Sequence, residues 1–273
     1  HYILNFLNIL IKLCIKILLL QKGNLFCTLF NLRSFMLNLK TSATYKNNKY
    51  IFRDKTFPKV VRYSNHKFQS YLSYYKGFKG RVKELGECYF LERIKFKKDD
   101  VVLDCGANIG DLKLWFDQKG IEIKYIGFEP SPIEYENLLK NTYPSKAYNI
   151  GLWNQDSEMN FYVSSKYADS SFIKPKKYEQ VIKVDSKKLE YFINQRIKLL
   201  KLEAEGGEPE ILFGAKEKLK LIEYISADLG FERGIKEEST FVPVTNYLLT
   251  NGFELVEINN KRFCALFKNK ELK

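Results

Sequence analysis
The residues able to do chemistry begin in VVLDCGANIGD, where Asp104, Gly106, Asn108 and Gly110 follow the short apolar run Val101–Leu103. Such a run reads as a buried parallel strand, and the glycines bracket a turn from which a helix opens at Asp111. The backbone amides and positive helix end at that turn suit an anionic or polar cofactor group. A dinucleotide fingerprint needs GxGxxG. This chain has D-x-G-x-N-x-G, with Asn108 where a middle glycine would stand, and a pyrophosphate would be crowded. An acid at the strand tip facing a cationic amino group suits instead the methionine end of S-adenosylmethionine. Twenty-five residues after Asp104 a second apolar run, YIGFEP, ends in Glu129. A carboxylate there accepts hydrogen bonds from two vicinal ribose hydroxyls. Trp153, after a third run, reads either as a ring stacked on the adenine or as core.

A second cluster lies in KLLKLEAEGGEPEILFGA. It reads as a strand, Leu199–Leu202, then alternating acids, Gly206-Gly207, and a helix opened by Glu208-Pro209. On an extended strand, side chains 203 and 205 share a side, at the edge where open α/β sheets bind ligands. Glu203 or Glu205 then orients or deprotonates an acceptor hydroxyl. The alternative is that one of them caps the Gly206-Gly207 amides or pairs with Lys201. In IEYISADLGFERG, Asp228 ends a strand and joins the acceptor site or binds a sugar hydroxyl. Arg233 either binds an acidic group of the acceptor or pairs with Asp228 or Glu232. The only histidines are His1 and His66, so carboxylates are the candidate bases. The acids lack a fourth clear ligand for Mg²⁺, and no metal is expected.

VVLDCGANIGD, GFEPSP and LLKLEAEGGEPEILFGA together resemble the FkbM family of S-adenosylmethionine-dependent methyltransferases, over roughly residues 99–268. The resemblance implies a doubly wound class I methyltransferase (Rossmann-like) fold and methyl transfer, usually to an oxygen of a small molecule or sugar. The sequence departs from the family pattern at Glu203, where Asp is usual, and at Ala204, where a bulkier apolar residue is usual. The extra methylene moves the carboxylate by about 1 Å, a shift that matters to catalysis.

The elements that must position these residues follow an α/β order. KAYNIGLW reads as a third parallel strand, and SEMNFYVSSKYADSSF as an additional strand or hairpin, with Ser170-Ser171 a substrate loop or a polar turn. Residues 180–193 suggest a short strand and a connecting helix. A helix around Val244–Thr250 precedes FELVEIN and RFCALFKN, a hairpin turning at Asn260-Lys261. An antiparallel hairpin closing the parallel sheet agrees with the resemblance.

Ahead of this domain, residues 2–20 are apolar apart from a helical stripe of Asn5, Asn8, Lys12 and Lys16. Two mid-segment lysines oppose a transmembrane span, at about 2.5–3.5 kcal/mol each, and no small-residue cleavage site marks a secretory signal. Residues 25–40 give a second amphipathic stretch, with Leu25, Leu29, Leu32, Met36 and Leu39 on one seam. From Lys40 to Lys83 twelve Lys/Arg face one acid, interleaved with Tyr45, Tyr50, Tyr63, Tyr71, Tyr74 and Tyr75. Three readings stand: an anionic membrane surface bound through residues 1–83, helices that pack on the catalytic domain or make a homodimer, or an RNA-binding arm. The chain opens on His1 rather than Met, which leaves open that its native start lies upstream.

At 273 residues, 45% hydrophobic and 15% aromatic, the chain is globular rather than disordered. The division expected is apolar helices over 1–40, a basic Tyr-rich lead over 41–98, and a methyltransferase domain over 99–273. Residues 1–100 carry a net +14 and the remainder −1, so the positive charge lies away from the reactive cleft, unlike that of a nucleic-acid enzyme. The Asn/Asp-Pro-Pro-aromatic loop of base and amine methyltransferases is also absent. Five scattered cysteines fit a reducing compartment rather than a disulfide framework or zinc site. The reading is an O-methyltransferase with S-adenosylmethionine as cofactor and a sugar or glycan precursor as acceptor, cytoplasmic and peripheral on the inner face of the membrane. Its alternatives are an O-methyltransferase of a soluble metabolite and a binding protein that keeps the fold without turnover.

Overall fold
A computed structural model describes residues 15, 17–164 and 169–272. They fall into two compact units, one up to Arg81 and one from Val82. Charge divides at the same place. Residues 1–81 hold 15 Lys/Arg and one acid, Asp54, whereas residues 82–273 hold 30 Lys/Arg against 31 Asp/Glu. The boundaries expected at residues 40 and 98 therefore fall inside the two units. Most of the apolar stretch 2–20 lies outside the described residues; positions 15 and 17–20 are helical.

The first unit is folded, not a composition-driven lead. Helix α1 (Gly23–Met36) precedes strands β1 (Thr41–Lys46), β2 (Lys49–Asp54) and β3 (Val61–Ser64), an antiparallel sheet in that order. Helix α2 (Lys67–Tyr74) follows, and α3 (Gly77–Cys88) begins in this unit and continues into the second. Asn47 and Asn48, at φ +50° and +60°, supply the left-handed pair that a two-residue hairpin turn requires. Alternation along β2 buries Tyr50 and Phe52, which Phe26 and Phe30 of α1 meet edge-on at 5.2 and 5.4 Å. Tyr71 and Tyr74 are buried too, so half of the tyrosines expected at a membrane headgroup layer are core instead. Asp54 is buried as well. Its carboxylate accepts bonds from the Thr41 hydroxyl, the Thr56 amide (2.8 Å) and hydroxyl (2.6 Å), and the Phe78 amide (3.2 Å). Burial opposes its charge, and these bonds outweigh burial and hold its carboxyl below the usual range.

In the second unit a seven-stranded sheet runs β12-β13-β11-β10-β4-β5-β6. Its members are β4 (Val101–Cys105), β5 (Lys124–Phe128), β6 (Lys146–Tyr148), β10 (Ile197–Leu202), β11 (Ile222–Asp228), β12 (Phe253–Asn259) and β13 (Cys264–Asn269). The five from β6 to β11 are parallel, and β13 and β12 close the edge antiparallel. Helices α4 (Asp111–Lys119), α5 (Pro132–Thr142), α6 (Glu208–Phe213) and α7 (Phe241–Thr250) lie between strands. The chain winds outward from β4 through β5 and β6, then returns to start the other half at β10. The strand order reverses between β4 and β10, the place where open α/β sheets bind ligands.

KAYNIGLW divides between two sheets: β6 ends the large one, and β7 (Gly151–Trp153) joins a small sheet with β9 (Gln180–Lys188) and β8 (Ser157–Val163). At Gly151 a Cβ would stand 1.9 Å from the Phe172 ring, so close packing fixes the break. The connecting helix expected within 180–193 is instead a long strand, β9, and one 3₁₀ turn over Leu189–Phe192. Residues 165–168 of the expected hairpin lie outside the described residues. Among the described residues no helix is long and apolar enough to cross a membrane.

Candidate active site
The glycine turn after β4 is set by contacts that only hydrogen side chains permit. Gly106 has φ +67°, and a Cβ there would stand 1.8 Å from the Glu203 carbonyl oxygen. Gly110, at φ +82°, leads into α4 against Thr142, whose methyl a Cβ would approach to 2.4 Å. Asn108 between them is also left-handed, at φ +49°, a conformation Asn tolerates best among larger residues. Its backbone N–H points across to the next strand tip and donates to Glu129 Oε2 at 2.8 Å. Glu129 Oε1 accepts the Ser131 amide at 2.9 Å. Burial, with the nearby Glu134 carboxylate, pushes the Glu129 carboxyl up to about 8.

Gly106, Asn108, Glu129, Ser131 and Glu134 line a cleft that opens to solvent, whereas Gly110, expected at the cofactor, sets the turn from outside its lining. Trp153, Phe172 and Glu203 line it too. Trp153 is half-buried and meets Phe172 edge-on at 5.7 Å. Ser170 also borders the cleft, whereas the Ser171 hydroxyl donates to the Glu205 carbonyl at 2.8 Å.

Asp104 sits beneath the cleft rather than on its wall. It is the register partner of Lys201 on β10, and its carboxylate is 3.1 Å from Lys201 Nζ and accepts the Tyr125 hydroxyl at 2.6 Å. Burial raises its pKa against the pull of Lys201. Lys201 also donates to the Gly106 carbonyl at 2.8 Å and lies 2.9 Å from Glu203. One buried ammonium thus ties the glycine turn to both acids.

Glu203 and Glu205 do not share a strand face. β10 ends at Leu202, and Glu205 turns left-handed at φ +49°, which sends the two side chains to different spaces. Glu203 accepts the Tyr89 hydroxyl at 2.6 Å and has Arg262 at 3.6 Å. Burial would raise its pKa, but Lys201, Arg262 and Tyr89 outweigh it and hold the carboxyl at about 2. Glu205 faces an adjoining cavity with Asp169, Tyr178, Phe231 and Glu232. Burial and the repulsion of Glu203, Glu232 and Asp169 raise its carboxyl well above the usual range. Glu208 caps the turn: it accepts the Ala204 amide at 2.8 Å and the Gly206 amide at 3.2 Å, while its other oxygen accepts the Thr240 hydroxyl.

Asp228, at the end of β11, accepts Arg262 at 2.9 Å and the Gly230 amide at 3.3 Å. Arg233 pairs with neither Asp228 nor Glu232. It forks onto Glu210 at 2.7 and 2.9 Å, at the start of α6. Among the described residues one set has metal-ligand spacing, Cys88, Asp228 and Cys264, with ligand atoms within 4.8 Å. The two thiols are 3.0 Å apart. That hydrogen bond, with burial, raises the Cys264 thiol, and Asp228 is paired with Arg262.

Residues 104–255 match the FkbM methyltransferase domain, more than half of the chain. This chain belongs to the FkbM methyltransferase family. It is 26% identical over 180 residues to Methyltransferase 1 of the fungus Beauveria bassiana (strain ARSEF 2860), covering 55% of this chain and 72% of that one. A SAM-dependent methyltransferase from Aquifex aeolicus aligns with 12% identity and a TM-score of 0.40, over 69% of this chain and 95% of that one. The N-terminal domain of human METTL16 in complex with SAH aligns with 11% identity and a TM-score of 0.39, over 70% and 69%.

The cofactor of an FkbM methyltransferase is S-adenosylmethionine, and the cleft fits it. Gly106 and Asn108 border the cleft with their backbone, where the polar end of the methionine part would lie. The Glu129 carboxylate keeps lone pairs for the ribose hydroxyls, and Trp153 with Phe172 offers an apolar wall to the base. Sequence reasoning missed the roles of Tyr89, Arg262 and Glu208. Lys201, a lysine within an apolar strand, and Glu208, beside the Ala204 and Gly206 amides it accepts, had a local signal; Tyr89 and Arg262 approach the site only through the fold.

Proposed function
We propose that this FkbM methyltransferase moves the methyl group to a hydroxyl oxygen of a sugar or glycan precursor at the cytoplasmic membrane surface. The observation that carries the reading is a pair of carboxylates in two neighbouring spaces, Glu203 lining the cleft and Glu205 the adjoining cavity, with Ser164 bordering both. No histidine occurs after residue 66, so a carboxylate must take the hydroxyl proton. The cofactor supplies a methyl group already activated on a sulfonium. The protein's part is alignment and proton acceptance. Glu203, ionised throughout the working range, accepts a hydrogen bond from a neighbouring hydroxyl of the acceptor and so orients the reacting one. Glu205, with its raised pKa, takes the proton. Tyr178 and Phe231 supply apolar faces for a sugar ring, and the acids beside them supply acceptors for its hydroxyls. The membrane part of the reading is supported by the charge held in residues 1–81.

Incubation with labelled S-adenosylmethionine and a glycan extract, followed by mass spectrometry, tests the acceptor. A label on a sugar oxygen is expected; a label on nitrogen or carbon contradicts the reading. Glu203→Gln and Glu205→Gln are expected to keep cofactor affinity and lose turnover. Normal turnover in both overturns the base assignment.

A further inference from the structure
Helix α1 is apolar on two faces. Phe26, Cys27 and Phe30 are buried in the first unit, together with Ser34. On the opposite face Leu25, Leu32 and Met36 recur at spacings of seven and four, and Phe35 flanks them. These four are exposed by 53, 54, 74 and 83% respectively. Leu37, just past the helix, is exposed as well. A folded unit has no intrinsic reason to leave such a contiguous apolar stripe in water.

The charge around the stripe says what covers it. The first 53 residues contain no acid, and the only carboxylate up to Arg81, Asp54, is buried and hydrogen-bonded within the fold. Lys22 caps the start of α1 and Lys40 follows its end, both exposed, and Lys46, Arg53, Lys55, Lys59, Lys76 and Lys79 are exposed with them. Apolar side chains flanked at the two helix ends by Lys22 and Lys40, on a unit whose one acid is buried, match a surface that is oily beneath and anionic above. A second copy of this chain would bring one such unit against another, and like charges oppose that. An RNA arm would present stacking rings, yet Tyr50, Tyr71 and Tyr74 are buried.

We propose that α1 docks on an anionic lipid bilayer through Leu25, Leu32, Phe35 and Met36, with Lys22 and Lys40 at the two ends of the helix meeting the headgroups. This deepens the membrane part of the proposed function and rests on that reading. Methyl transfer is read separately, through cofactor affinity.

The test is flotation of the full chain with vesicles of phosphatidylcholine alone and of phosphatidylcholine with phosphatidylglycerol. The protein is expected to float with the anionic vesicles at low salt and to partition at least tenfold less with the neutral ones. Leu32→Glu with Phe35→Glu and Met36→Glu, all exposed positions, is expected to cut partition at least tenfold while circular dichroism and cofactor affinity stay unchanged. Equal flotation of that variant overturns the assignment to α1. No flotation with anionic vesicles overturns membrane docking, as does a shift from dimer to monomer caused by the triple substitution in lipid-free solution. Binding to single-stranded RNA that the substitutions abolish, with no binding to vesicles, overturns it as well. Lost flotation together with normal cofactor affinity in wild-type protein leaves the catalytic reading intact.

Discussion

Lys201 and Asp104 are direct partners across β10 and β4, with their charges 3.1 Å apart and both side chains almost wholly buried. The same ammonium binds Glu203 and the Gly106 carbonyl. The floor of the cofactor cleft is therefore held by one cation that two acids and a glycine turn share.

Removing that cation leaves buried carboxylates without a partner. Lys201→Met is expected to cost about 3–5 kcal/mol in folding free energy, measured by denaturant unfolding. Adding Asp104→Asn should recover part of the loss, so the pair is non-additive. Additivity of the two substitutions would show that the pair contributes nothing.

Glu129 gives a pH signature. Its pKa in the folded protein, about 8, lies above the ordinary 4.5. The folded state therefore holds the proton more tightly, and this group's stabilisation is full below pH 4.5 and is lost as pH rises through about 8. Glu129→Gln removes the slope. The difference in unfolding midpoint between wild type and variant should move in favour of the variant between pH 5 and 9, and a constant difference would contradict the burial account.

The two acceptor-side acids should separate in pH–rate profiles. Glu203 at about 2 stays ionised across neutrality, so Glu203→Gln lowers the rate without moving the acid limb. Glu205 is raised well above the usual range, so Glu205→Gln abolishes that limb. A rate loss of about 10²–10⁴ is expected for the proton acceptor, read from single-turnover kinetics.

Gly106→Ala tests the cradle. It adds left-handed strain of about 1–2 kcal/mol and a Cβ 1.8 Å from the Glu203 carbonyl. Weaker cofactor binding with a lower melting temperature is the expected result. Unchanged values for both would mean that the turn does not approach β10 this closely.

The cofactor half of the site was legible because its parts are local. Strand, glycine turn, helix and second acid follow one another within a few dozen residues, so Gly106, Asn108, Gly110 and Glu129 appear in order. The ion pair of Asp104 was not legible, since its partner lies 97 positions away and meets it only through strand register. Tyr89 and Arg262 reach Glu203 from opposite ends of the domain. The equal spacing of Glu203 and Glu205 suggested one face, but strand geometry stops at Leu202. In the first unit the density of lysine and tyrosine concealed a sheet, because alternation over six residues is a short signal beside so strong a composition.

Titration calorimetry of the folded full chain with S-adenosylhomocysteine tests the central claim most directly. A single saturable site is predicted at a pH above about 8, where Glu129 is ionised, weakened about tenfold or more in Glu129→Gln, since hydrogen bonds to a charged group contribute about 1.5–3 kcal/mol. No heat from well-folded protein, or equal affinity in the variant, would contradict a cofactor held between the Asn108 turn and Glu129.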